Sequence, residues 1–263
     1  MEPESGPALE ALMDTAWPAA DRDECGGWVL RAASGVTQRA NSVWPREPGD
    51  DAHAQLAALR DARLWYRARR LPLIFQVFDG PRYAPLNAVL DAEGFTRQSE
   101  TLVMVRGGGV AAAADRGVEI ATEPSAEWLR LWWSLDGRGG GEALDVARGI
   151  LTGCPSLYAL VRDGDGAPAA VGRLALPDAE PGSPRLGGLY CMATRPDARR
   201  QGHGSAVLQA LLGEGARLGL AGYWLLVTAA NTGAQELYAR AGFAESCRYL
   251  YRQERPKRHL TGC

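Results

Sequence analysis

Apolar and polar positions along this chain follow two periods. In HAQLAALRDARLWYRARR, apolar residues recur three and four apart, which predicts an amphipathic helix ahead of Leu71. The next stretch, LPLIFQVFDGPRYAPLNAVLDAEGFTRQSETLVMVR, reads as strand, turn, helix, a Gly94-Phe95 break and a second strand. Far downstream, GYWLLVTAANTGAQELYARAGFAESCRYLYR reads the same way, with Gly242-Phe243 matching Gly94-Phe95. The chain thus carries a faint internal repeat. Between the copies, GGGVAAAADR is small, low in complexity and follows a strand pattern, so it reads as a linker. GGWVLRAASG and ANSVWP supply two further strands in the first half. The polar string Thr37 to Ser42 reads either as a strand pairing with its neighbour or as the lining of a pocket between the halves.

Chemistry concentrates between Arg195 and Leu212. Arg199-Arg200-Gln201-Gly202-His203-Gly204 is a glycine-punctuated turn that follows an apolar run. Leu208, Leu211 and Leu212 then mark a helix, and Gly219 stands where a C-cap belongs. A strand, a Gly-rich turn and a helix N-terminus together make an anion site, because the first N–H groups are free and the helix dipole favours negative charge. Gly202 and Gly204 remove the Cβ atoms that would keep a ligand off the backbone. A dinucleotide fingerprint would need a third glycine where Val207 stands, and a P-loop would need Gly-Lys-Ser/Thr. The bland alternative is a tight turn capping a core helix. A second segment weighs against it: Asn231, Thr232, Tyr238, Gly242 and Phe243 form N-x6-Y-x3-G-F. Thr232 and Gln235 have capping-box spacing, and Gly242 suits a helix end.

The pair R-x-x-G-x-G and N-x6-Y-x3-G-F, separated by one helix and one strand, resembles the GNAT superfamily of acyl-CoA-dependent N-acyltransferases. The resemblance covers roughly Gly117 to Gln253. It implies that the backbone of Arg199, Arg200, Gln201, Gly202, His203, Gly204 and Ser205 cradles the CoA pyrophosphate, with charge added by the two arginines. It implies that Met192, Ala193 and Thr194 hydrogen-bond the pantetheine arm from a splayed strand end, and that Asn231 touches the same arm. It makes Tyr238 the general acid for the departing thiolate, a task that suits a phenol whose ring packs while its hydroxyl donates. The other reading of Tyr238 is a core aromatic. His203 replaces an apolar residue and is expected to point outward. The general base stays open. Asp136, Glu142 and Asp145 lie in a Gly-rich stretch read as the loop between the first two helices, which usually borders the acceptor pocket in the family. Tyr190 and Cys191 lie on the strand leading to the cofactor loop. A ping-pong route through Cys191 is set aside in favour of direct attack within a ternary complex.

The first copy has the framework without the chemistry. Leu90 falls opposite Tyr238, and PREPGDD occupies the place of the phosphate turn with acids that would repel phosphate. Composition then bounds the reading. The 263 residues are 46% apolar and 23% charged, enough for a sizeable core in one large or two small domains. A net charge of −2 gives no drive toward nucleic acid, and no apolar run is long enough to span a membrane. Five cysteines without C-x-x-C spacing and an acidic start without a signal-peptide pattern suggest a cytoplasmic protein. Three scattered histidines offer no metal site. Abundant Ala, Arg and Gly with a single lysine suggest a GC-rich bacterial gene.

The fold expected is therefore α/β, with two GNAT-like domains, each a mixed, mostly antiparallel sheet flanked by helices. The boundaries are 1–108 for a degenerate domain without a cofactor loop, 109–116 for the linker, 117–253 for the catalytic domain and 254–263 for a tail. The function expected is transfer of an acetyl group from acetyl-CoA, without a metal, to the primary amine of a small molecule. The alternatives are an inactive CoA-binding interaction module, a protein N-terminal or lysine acetyltransferase, and a dinucleotide-binding protein. The first half is expected to pack against the second and wall its acceptor pocket. The acceptor, the acyl chain length and the oligomeric state stay open.

Overall fold

The computed structural model describes residues 6–109, 117–137 and 139–255. All but Gly109 of the expected linker, and all but Glu254 and Arg255 of the expected tail, lie outside them. In chain order the elements are α1 Pro7–Ala16, β1 Asp21–Cys25, β2 Trp28–Ala32, α2 Ala52–Ala68, β3 Ile74–Phe78, α3 Ala84–Ala92 and β4 Thr96–Gly107. There follow β5 Val118–Ala121, α4 Ala126–Asp136, α5 Gly141–Thr152, β6 Ser156–Arg162, β7 Pro168–Ala175 and β8 Leu186–Thr194. The last are α6 His203–Arg217, β9 Gly222–Thr228, α7 Thr232–Arg240 and β10 Ala244–Gln253.

Two compact units divide the chain elsewhere than at 108 and 117. One is Met1–Pro18 with Leu102–Ser246, the other Ala19–Thr101 with Cys247–Cys263. Each half's last strand is cut by the division, and the first helix joins the larger unit. Local periodicity finds a strand, but tertiary pairing chooses its partner, and no local period encodes that choice.

In the smaller unit, Asp51 caps α2 by accepting from the His53 and Ala54 amides at 2.8 and 3.4 Å. The helix buries Gln55, Ala58, Leu59, Ala62 and Tyr66, a stripe at three- and four-residue spacing. β1 and β2 pair as an antiparallel hairpin. ANSVWP forms bridges rather than a full strand: Val43 pairs with Phe75 and Trp44 with Val29. Thr37 to Ser42 is a turn around a 3-10 segment, Arg39–Asn41, not a strand. The Asn41 amide replaces the ladder there, accepting from the Ala33 and Gly35 N–H groups at 2.8 Å and donating to the Val36 carbonyl at 2.7 Å. β10 closes this unit by pairing antiparallel with β3, from Tyr249 opposite Phe78 to Gln253 opposite Ile74. Its Arg252 donates to Asn87 and Asp91 on α3. Leu90 is fully buried on that helix.

In the larger unit the strand order is β4-β9-β8-β7-β6-β5, and in the smaller unit β10 lies beside β3. Neighbours β5 to β8 are antiparallel, whereas β8 and β9 are parallel. The parallel pair is joined by α6, whose Val207, Leu208, Leu211 and Leu212 enter a core with Leu174, Leu189, Leu225 and Val227. Ser125 caps α4 through the Trp128 amide at 3.1 Å. α4 buries Trp128, Leu129, Leu131 and Trp132.

Candidate active site

The site begins where two parallel strands part. The register of β8 and β9 runs from Leu186 opposite Gly222 to Leu189 opposite Leu225. Beyond that point β8 continues to Thr194 and β9 to Thr228, and no ladder pairing between them continues among the described residues. On its other side β8 stays paired with β7, Thr194 opposite Ala170 and Ala193 opposite Val171. The gap is a wedge with Met192, Ala193 and Thr194 along one arm, all partly exposed. A bulge sets the arm's direction. The register with β7 steps between Val171 and Arg173, where Ala193 and Tyr190 are the partners, and Cys191 adopts φ 55°. A left-handed cysteine costs about 1 kcal/mol and turns backbone groups out of the ladder.

The glycine turn lies at the wide end of the wedge. A 3-10 segment, Pro196–Ala198, follows Thr194, then Arg200 at φ 64° and Gly202 at φ 88°. Gly202 is the N-cap of α6 and offers no side-chain cap, so the amides of His203, Gly204 and Ser205 lack intrahelical acceptors. Two left-handed residues flanking Gln201 and a bare helix N-terminus bring free N–H donors into one turn, the arrangement that receives phosphate oxygens. Nothing within 4 Å would meet a methyl placed at Gly202, and one at Gly204 would sit 3.3 Å from the Thr194 hydroxyl oxygen and 3.9 Å from Leu237. The first turn of α6 therefore brings β8 and α7 together. Arg199, Arg200, Gln201 and Ser205 are exposed. Arg199 Nε donates to the Thr194 carbonyl at 3.3 Å. Arg195 is engaged elsewhere, donating to Asp163 and Asp197 at 2.7 and 2.6 Å, and these bonds lower the pKa of both carboxyls. His203 is partly exposed, but its Nε2 is buried and has no hydrogen-bond partner among the described residues.

Tyr238 lies on α7, buried, in one cluster with Val207, Leu208 and Val227 and with Met192 packed against it. Its ring meets Phe243 edge-on at 6.2 Å. Its hydroxyl has no hydrogen-bond partner among the described residues, and burial alone pushes its pKa up to about 12. The group is therefore a protonated donor with an unspent hydrogen. Asn231 is the N-cap of α7, accepting from the Ala234 amide at 3.1 Å. The cap thus precedes the expected Thr232–Gln235 box. Gln235 instead donates to the Thr228 and Ala229 carbonyls at 3.1 and 3.0 Å, which ties α7 to the end of β9.

The candidate bases separate. Asp136 ends α4, and Glu142 and Asp145 ride on α5, which starts at Gly141, so only a short turn divides the two helices. All three carboxylates are exposed. Tyr190 is buried, stacked on Trp17 at 5.4 Å, and its hydroxyl accepts from Trp224 Nε1 at 3.1 Å. Sequence reasoning missed Trp17, Ser156 and Arg173 in this cluster. The available signal was a lone arginine inside the apolar run PAAVGRLA. Among the described residues no group of His, Cys, Asp and Glu could hold a metal ion, and no helix is long and apolar enough to cross a membrane.

Comparison with known proteins relates this chain to acetyltransferases. A family model described as "Probable histone acetyltransferase Rv0428c C-terminal" covers residues 7–252. The Mycobacterium tuberculosis protein named probable histone acetyltransferase Rv0428c is 32% identical over 247 residues, which is 92% of this chain and 72% of that one. Among solved structures, a GCN5-related N-acetyltransferase from Kribbella flavida superposes with a TM-score of 0.68 at 20% identity, covering 95% of each chain. A tandem GNAT protein from the clavulanic acid biosynthesis pathway gives a TM-score of 0.63 at 16% identity, covering 82% of this chain and 76% of that one. These two structural likenesses concern the fold.

Proposed function

The chain belongs to the Rv0428c C-terminal acetyltransferase family, within the GNAT superfamily of acyl-CoA N-acyltransferases, and from that premise we propose that its larger unit moves an acetyl group from acetyl-CoA to a primary amine of a small molecule. The observation that carries the reading is the wedge between β8 and β9, which opens toward the uncapped start of α6. Backbone groups of Met192, Ala193 and Thr194 hold the pantetheine arm. The amides from Arg199 to Ser205 hold the pyrophosphate, with Arg199 and Arg200 adding charge. Asn231 works mainly by capping α7, which keeps Tyr238 in place. The residues present fit the donor: the glycine turn leaves its backbone bare, and the N–H donors are unspent.

Acetyl-CoA supplies a thioester there, so an amine attacking its carbonyl carbon forms the C–N bond as the C–S bond breaks. Tyr238, buried and protonated, would donate its hydroxyl hydrogen in a hydrogen bond to the sulfur as negative charge grows. The amine's surplus proton leaves to water. The smaller unit has Leu90 at the position matching Tyr238 and PREPGDD in place of the turn, so it is read as carrying no acyl-CoA site. A second reading, transfer to a lysine of a protein, draws on the name of the M. tuberculosis relative. The experiment is thiol release from acetyl-CoA across a panel of small amines and lysine peptides, with mass spectrometry of the products. An acetylated small amine supports the first reading. Acetylated peptide alone supports the second, and hydrolysis alone in every well contradicts both.

A further inference from the structure

A side-chain bond takes over where the β8–β9 ladder stops. Leu189 opposite Leu225 is the last pair among the described residues, and Tyr190 is the next residue of β8. Its side chain reaches back across the gap. The Tyr190 hydroxyl accepts from Trp224 Nε1 on β9 at 3.1 Å, and the two rings meet edge-on at 6.5 Å. Gly188, the ladder partner of Trp224, makes that contact possible: a Cβ there would stand 2.5 Å from the Trp224 ring and 2.6 Å from the Tyr190 ring. Trp17 stacks on Tyr190 at 5.4 Å, and the guanidinium carbon of its other ladder partner, Arg173, lies 5.6 Å from the tyrosine ring centre. Arg173 is itself fastened, its Nε donating to Ser156 Oγ at 3.0 Å and its Nη1 to the Ala16 carbonyl at 2.9 Å. Tyr190, Trp17, Trp224 and Arg173 are all buried.

The bulge that follows reverses the faces of the strand. Residues two apart on a regular strand share a face, which would set Met192 beside Tyr190. Instead Cys191 takes φ 55°, and Met192 lies on the other side of the sheet: a Cβ at Gly172 would meet Met192 Sδ together with Val207 and Leu211 of α6, whereas the adjacent Arg173 faces Tyr190. Met192 thereby packs against the cluster that contains Tyr238. A left-handed cysteine persists only where its surroundings over-determine it. Parallel strands that part could otherwise zip or unzip by a pair, shifting the start of the wedge by about 3.3 Å per residue. Resting on the acyltransferase reading above, we propose that Tyr190 is a positioning residue for the reaction. Its bond to Trp224 fixes where the wedge opens, and with it the place of the thioester relative to Tyr238. Tyr190 acts through the strand and carries no proton in the reaction.

The test is single-turnover thiol release from saturating acetyl-CoA by the full chain, with the fastest acceptor of the amine panel, on Tyr190→Phe, Trp224→Phe and the double variant. Each single change leaves an aromatic ring and removes one side of the hydrogen bond. Each should lower the rate by roughly tenfold to a hundredfold, the cost of a reacting centre displaced by about an ångström. The acetyl-CoA dissociation constant should stay near its wild-type value, because the glycine turn is untouched, and the pH profile of the rate should keep its shape. The double variant should be no slower than the slower single one, since both changes break the same bond. A packing role alone would lower the melting temperature and leave the rate of the folded protein unchanged. A wild-type rate in the folded single variants overturns the positioning role. So does a loss in Tyr190→Phe that Trp224→Phe does not share, which would give the hydroxyl a direct part in the chemistry. If a single variant fails to fold, the double variant, which removes donor and acceptor together, decides by its own rate. These failures leave the acyltransferase reading intact, whereas no acceptor-dependent thiol release by the wild type overturns both.

Discussion

Replacing Tyr238 with phenylalanine removes one oxygen and little else. The ring packs on Phe243 at 6.2 Å, and phenylalanine keeps that contact. The hydroxyl has no partner among the described residues, so its loss should change stability by less than about 0.5 kcal/mol. Burial holds its pKa at about 12, so the phenol is protonated across the working pH range. A thiol of the cysteine type titrates near about 8.5, so complete proton transfer from this phenol runs uphill by roughly 5 kcal/mol. On the proposed mechanism its contribution is therefore hydrogen-bond donation to sulfur as charge develops. Losing one such donor costs about 10²–10³-fold in kcat, or roughly 2.7–4 kcal/mol. The assay is single-turnover thiol release at saturating acetyl-CoA, with the acetyl-CoA dissociation constant measured alongside and expected to hold. A pH signature accompanies it. The folded pKa lies above the ordinary 10.0, so the stability conferred by the neutral phenol is complete below that value and is lost as pH rises through about 12. The phenylalanine variant should lack this alkaline decline. Wild-type turnover in folded Tyr238→Phe, with chemistry limiting, would refute the assignment.

Three further outcomes follow from the geometry. Asn231→Ala removes the cap on α7, which should cost about 1 kcal/mol and lower the melting temperature by roughly 2–4 °C, read by calorimetry. Arg195 depresses the pKa of Asp163 and Asp197 below 3.8, so their contribution to stability is present above that pH and fades as pH falls beneath it. Arg195→Ala should flatten this acid slope in denaturation curves taken between about pH 2 and 5; an unchanged slope would contradict the pairing. A truncation beginning at Ala114 discards α1 and the Leu102–Gly107 part of β4, both in the larger unit. It should fail to melt cooperatively by circular dichroism, and a cooperative fragment with full acetyl-CoA affinity would count against the unit division.

What the sequence disclosed was local. The Gly202–Gly204 turn, the α6 stripe and the Gly94-Phe95 and Gly242-Phe243 breaks are set by residues within a few positions of one another. Periodicity and turn chemistry therefore expose them. The strands flanking α6 were legible for the same reason, whereas Asn231 and Tyr238 stood out only through the resemblance of N-x6-Y-x3-G-F to a known family. Pairing was not. β10 reads as the last strand of the second repeat, yet it pairs with β3 in the smaller unit. α1 reads as part of the first half, yet its Ala16 carbonyl accepts from Arg173 in the larger unit. Both facts depend on partners more than 150 positions away, as the separations of Ala16 from Arg173 and of Gln253 from Ile74 show. The cap of α7 was misplaced by one residue because Asn231 and Thr232 are both good caps and only geometry decides between them. The Cys191 bulge left no mark in the sequence, since cysteine has no special taste for the left-handed region.

Calorimetric titration of the full chain with acetyl-CoA, done in parallel on wild type and Gly204→Val, tests the central claim most directly. A Cβ there would stand 3.3 Å from the Thr194 hydroxyl and 3.9 Å from Leu237, so the bulk of valine crowds the β8 arm at the proposed cofactor site. The account predicts one acetyl-CoA per wild-type chain and an affinity at least about tenfold weaker in the folded valine variant, a loss of roughly 1.4 kcal/mol or more. Two equivalents per chain, or equal affinity in the two proteins, would contradict it.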